Sequence, residues 1–218
     1  VNNNIDIIKL YIYIMCFNKE VSIITYIIGL AGCLNLYFNF NLKIEAIFFG
    51  WVIQMQLIEY VLWDNQPCNQ TNINTTTIGT IVNHLEPIIF WGAILLLSTK
   101  QLPIYVNILM IIFTIVSIIY TSDVLKNECT TVTPISKTHL HWKWNEGSRF
   151  YYPFFLLCLN LLSIFGLEHG YHTAFIITIL FAISGMIYNK KSSVGAMWCF
   201  FAAYTPWFLP YIYKIPLN

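Results

Sequence analysis

The residues with the most chemistry for their surroundings lie in the stretch Gln54-Met55-Gln56-Leu57-Ile58-Glu59-Tyr60-Val61-Leu62-Trp63. Gln56, Glu59, Tyr60 and Trp63 fall at i, i+3, i+4 and i+7, so a helix presents them on one face. The stretch closes an apolar run that begins near Ile44. A charged group facing hydrocarbon costs about 2.5–3.5 kcal/mol even on the lenient insertion scale, so the acid is expected to turn into a bundle interior. Such acids mark ion paths, relays and ligand sites. The plainer alternative is a carboxyl group held for packing alone, protonated or paired with a neighbouring helix.

Other reactive types gather around this one. His84 and Glu86-Pro87 lie in the next apolar run, and the short connection makes the two runs expected neighbours. Counted from Gly79, His84 sits five residues into its run, which matches the five residues between Glu59 and Asp64. Alternation of direction brings Cys16, the His139-Leu140-His141 triplet, Tyr151-Tyr152 and Trp198-Cys199 to the same end. Gln56, Glu59, Trp63, His84, Glu86 and Trp198 are therefore the candidate cavity and ligand-binding residues. Cys16, His84 and His141 have the side chains zinc uses, although no motif spacing enforces a metal. His139 and His141 share a face only if their loop is extended. Glu168-His169-x-x-His172 stands at the opposite end and reads as an interfacial turn. The chain has no Gly-rich phosphate loop, no Gly-x-Ser-x-Gly elbow and no His-Glu-x-x-His helix.

The elements that must position these residues are apolar. The chain has 218 residues, 57% hydrophobic and 10% charged, with a formal net charge of +1. About 25% charged residues is usual for a soluble domain, so the composition implies an integral membrane protein with the lipid bilayer as its partner. The near-neutral charge gives no support for a nucleic-acid partner. Seven runs approach the roughly 20 residues that cross a bilayer: 21–38, 44–63, 79–98, 103–121, 150–166, 171–188 and 194–213. The expected fold is an all-α, polytopic transmembrane helix bundle of about seven spans, in one domain over 15–218. Residues 1–14 are expected to be an upstream extension or an interfacial segment. Pro206 and Pro210 are expected to kink the last span. Trp63, Tyr120, Tyr151, Tyr152 and Tyr213 read as interface anchors.

Orientation draws on opposing signals. Lys9, Lys19, Lys126, Lys137, Lys143, Arg149, Lys190 and Lys191 share the Glu59 end, against Lys43, Lys100 and Lys214 at the other. That excess assigns the Glu59 end to the cytoplasm. The loop after Trp63 points the other way: it carries the sequons Asn69-Gln70-Thr71 and Asn74-Thr75-Thr76, and its Cys68 can pair with Cys129 in an oxidising space.

The octapeptide Met15-Cys16-Phe17-Asn18-Lys19-Glu20-Val21-Ser22 resembles the opening of an uncharacterised family of multi-pass membrane proteins of bacteria and large DNA viruses, which begin Met-Cys-Phe-Ser. Gln56-x-x-Glu59-x-x-x-Trp63, Glu86-Pro87 and Trp198-Cys199-Phe200-Phe201 are similar to later motifs of that family, and Asn18 departs from its usual Ser. The resemblance implies a start at Met15 and implies no activity. From the residues, three functions compete. One is a transporter or channel-like protein for a small solute, ion or proton, using the polar cavity around Glu59 and His84. Another is a membrane-embedded, metal-dependent lipid hydrolase. The third is a receptor or structural membrane protein.

Overall fold

The computed structural model describes residues 18–125, 128–132, 140–142, 150–187 and 191–215, and the side chains at 187 and 191–194 are not among them. Within these the chain forms helices α1 (Lys19–Phe38), α2 (Lys43–Val52), α3 (Gln54–Asp64), α4 (Gln70–Leu97) and α5 (Ile104–Val124). They are followed by a minimal antiparallel hairpin of β1 (Thr131–Val132) and β2 (Leu140–His141), and then by α6 (Tyr151–Gly166), α7 (Gly170–Ile187) and α8 (Lys191–Ile212). The fold is all-α apart from the hairpin.

Local chemistry sets the boundaries. Asn18 caps α1 by accepting from Val21 N–H at 2.8 Å, and Asn69 caps α4 by accepting from Asn72 N–H at 2.8 Å. Both satisfy a donor that the first helical turn leaves open. The turn after α1 closes through Asn41 at φ 54°, a left-handed conformation that Asn tolerates better than most residues. Two expectations need correction. The run 44–63 is not a single helix: it breaks at Ile53, where the Gln54 side chain donates to Gly50 O at 2.8 Å. The third run does not begin at Gly79 after a loop through Thr77. Helix α4 starts at Gln70, because the Asn69 cap and packing of Asn72, Thr76 and Thr80 outweigh the weak helix preference of Thr and Asn.

Helix α1 packs on α2, α3 and α8; α4 on α2, α3, α5 and α6; α6 on α5 and α7; and α8 closes the ring against α7 and α1. The α2–α3 rod touches α1, α4 and α8. Phe48, Phe49, Val52, Ile53, Met55 and Leu62 on it are all 0% exposed, so the rod runs through the core. Gly29 and Gly32 let α1 approach α8: a Cβ on Gly29 would stand 3.2 Å from Ala203 O, and Trp207 Nε1 donates to Ile28 O at 3.0 Å. Helix α8 continues through Pro206 and Pro210.

Specific bonds identify the two ends. At one, Lys19 pairs with Asp64, Cys68 is disulfide-bonded to Cys129 with Cα atoms 5.7 Å apart, and Gln66 Nε2 donates to Thr130 O at 2.9 Å. At the other, Lys100 Nζ donates to Leu167 O at 2.7 Å, and the Tyr213 hydroxyl donates to Glu45 at 3.1 Å. The helices therefore alternate in direction. On α5 only Val106, Met110, Phe113 and Ser117 are buried, on one stripe, while Ile104, Ile108, Ile111, Ile112, Ile115, Ile118 and Ile119 face outward. Four helical segments, Lys19–Phe38, Lys43–Asp64, Gln70–Leu97 and Ile104–Val124, are long and apolar enough to cross a membrane; α6 and α7 are apolar but shorter.

Candidate functional site

The polar interior is built on α3, α4 and α8. Glu59 is 1% exposed, and its Oε2 accepts from Gln56 Nε2 at 3.1 Å, the i, i+3 pair read from the sequence. Its Oε1 is buried with no hydrogen-bond partner, and so is Trp63 Nε1 one turn further along. On α4, Glu86 is 0% exposed and accepts from Asn83 Nδ2 at 3.2 Å and from Trp198 Nε1 of α8 at 3.4 Å. Asn83 Oδ1 is itself buried and unpartnered. Side chains on a helix lean toward its own N-terminus. Helices α3 and α4 run antiparallel, so the two carboxyl groups lean toward each other's level. The Cys199 thiol, next to Trp198 on α8, is buried.

His84 occupies a different flank. Its Nδ1 lies 2.7 Å from Thr121 Oγ1 on α5, and its ring meets Tyr120 at 5.3 Å and Tyr151 at 4.9 Å between centroids. Its Nε2 is buried without a partner. Glu59 and His84 are not at the equal depth expected of them, because the helix begins at Gln70 and not at Gly79. Trp51 Nε1 donates to Val82 O at 2.9 Å, which fixes the register of the rod against α4. Glu59, eight residues beyond Trp51, therefore lies nearer the α3–α4 loop than His84 does. No hydrogen bond joins the two residues. Tyr151, read as an interface anchor, is instead 3% exposed and bonded through its hydroxyl to Ser117 at 2.9 Å.

His141 is half-buried on β2, whereas Cys16 and His139 lie outside the described residues. Among the described residues no three His, Cys, Asp or Glu side chains stand where they could hold a metal ion together. A strap next to the disulfide covers part of this end. Thr130 N–H donates to Asn72 Oδ1 at 3.0 Å, and Asn72 Nδ2 donates back to Thr130 O at 2.9 Å, so one side chain pairs with both backbone groups as a strand would. Trp142, just after β2, is fully buried.

Two features escaped the sequence reading. Asn83, which both holds Glu86 and presents a free oxygen, sits in a Thr- and Asn-rich half-helix that gives it no distinguishing signal. Glu45, 5% exposed, forms a second buried carboxyl site at the far end with Tyr213, whose hydroxyl is 2.7 Å from Thr173 Oγ1. It lies at the very start of the run 44–63, close to the polar break at Asn39–Asn41, where a carboxyl group does not stand out. Beside it a cavity of about 290 Å³ is lined by Glu168, His169, His172, Tyr213 and Lys214. His169 and His172 stand 6.0 Å apart between ring centroids, and His172 Nε2 donates to Ile215 O at 2.7 Å.

No known protein family, curated protein or solved structure matches the chain.

Proposed function

We propose that the chain is an integral membrane protein of seven spans, namely α1, the α2–α3 rod, α4, α5, α6, α7 and α8, which carries a small solute, ion or proton through the polar interior around Glu59 and Glu86. One observation carries this reading. Thr25 Oγ1, Glu59 Oε1, Trp63 Nε1 and Asn83 Oδ1, on α1, α3 and α4, are buried and have no partner among the described residues, and His84 Nε2 on the other flank of α4 is likewise open. An orphaned buried polar atom costs about 1–3 kcal/mol. A concentration of them inside an apolar bundle is characteristic of a path that water or a solute satisfies. The outward isoleucines of α5 support the membrane setting, because a soluble monomer rarely exposes so long an apolar face.

The test is reconstitution of the full chain in liposomes, with flux of protons, alkali cations, methylammonium and glycerol followed against empty liposomes. At least one species should cross faster with the protein present, and Glu59→Gln should remove that increment. Liposomes no more permeable than empty ones to any of these would remove the transport reading.

A further inference from the structure

The same interior has a polarity of its own, and it selects among solutes. Resting on the transport reading, we infer that the occupant is a small organic cation bearing a primary ammonium group. Two carboxyl groups, Glu59 and Glu86, enter this interior, and among the described residues neither has a cationic partner. The lysines whose side chains are described are engaged elsewhere. Lys19 is held by Asp64 at the rim, while Lys43, Lys100 and Lys214 belong to the far end. Without a cation such carboxyl groups are held neutral, and a bound positive charge is the partner that would stabilise them ionised.

The hydrogen-bonding inventory narrows the choice. Glu59 Oε1 and Asn83 Oδ1 are open acceptors, and Thr25 Oγ1 can accept. Trp63 Nε1 is the sole obligate donor among these orphaned atoms. An ammonium group carries three donors and no acceptor, which complements an acceptor-rich wall. Anions and donor-poor neutral solutes do not. Trp198, which donates to Glu86 and stacks on Phe181 at 4.5 Å, sets an aromatic ring beside this wall. Aromatic faces attract an organic cation and accommodate its methyl groups.

The experiment titrates the detergent-purified full chain with methylammonium chloride and follows its thermal midpoint. Sodium chloride at equal ionic strength, tetramethylammonium chloride and glycerol serve as comparators. Methylammonium alone should raise the midpoint saturably. Glu59→Gln and Glu86→Gln should each raise the half-saturating concentration by about tenfold or more, while Phe208→Leu on the exposed outer face should not change it. The inference is overturned if methylammonium gives no saturable shift, if sodium or tetramethylammonium matches it, or if the shift survives both Gln variants. Should a Gln variant not fold, the comparator series on the unaltered chain decides, because it needs no substitution. A saturable response to glycerol in place of methylammonium would overturn the cation and leave the transport reading standing. A methylammonium response with no flux in liposomes would uphold the cation and remove transport.

Discussion

Asn72 illustrates how much structural weight a single amide can carry at this end of the molecule. It accepts from Thr130 N–H and donates to Thr130 O and to Asn65 O, all within 3.0 Å, at 0% exposure. Asn72→Ala removes one of two partners from each of the Thr130 N–H and C=O groups, which keep Thr76 Oγ1 and Gln66 Nε2, and is expected to cost about 0.5–1.5 kcal/mol per lost bond. Thermal melts of the purified variant in detergent measure this, and an unchanged midpoint would mean that the strap does not rest on α4. The value of Asn72 is hidden in the sequence, since its partner lies 58 residues away. Glu59 and Glu86 were legible because a carboxyl in an apolar run violates the expected pattern. Gln56 was legible from its i, i+3 spacing to Glu59. Asn83 and Glu45 were not: the first is one amide among several in its segment, and the second borders a polar turn.

Among the elements, α1 and α8 depend on close approach. At Gly29 a methyl group would meet Ile53 Cγ2 at 2.9 Å and Ala203 O at 3.2 Å, and a backbone oxygen cannot swing aside. Gly29→Ala is therefore expected to destabilise by about 1–3 kcal/mol. Gly92 on α4 has nothing within 4 Å of its Cβ position, so Gly92→Ala is expected to gain up to about 1 kcal/mol from helix propensity. Melts of the two variants side by side separate these effects, and equal shifts would contradict the α1–α8 contact. The approximate positions of the apolar helices could be read from hydropathy. The true start of α4 could not, because its first turns are polar and are stabilised by the Asn69 cap and by the docked strap. Nor was the break at Ile53 legible, since Gln54 reads equally well as part of a continuous amphipathic face.

At the scale of the whole molecule, seven spans would place the two ends of the described chain on opposite sides of the membrane. Reporters attached before Asn18 and after Ile215 should give opposite accessibility, and same-side reporters would contradict the span count. The disulfide Cys68–Cys129 and the clamp at Thr130 tie two loops together at the mouth above Glu59. The strap covers part of the mouth, and the Glu45–Tyr213 pair lies at the far end. The central claim is that Glu59 faces an occupied polar path and is not a packing residue. Glu59→Gln and Glu59→Leu, compared for thermal midpoint and for flux in liposomes, test it most directly. Gln retains the shape and can keep the bond to Gln56 while removing the acid, so it should fold normally and lose flux. Leu should also lose flux, whether or not it stabilises the fold, as apolar replacements of buried charged groups often do. A Glu59→Leu protein that is as stable as the unaltered chain and conducts as well would contradict the account.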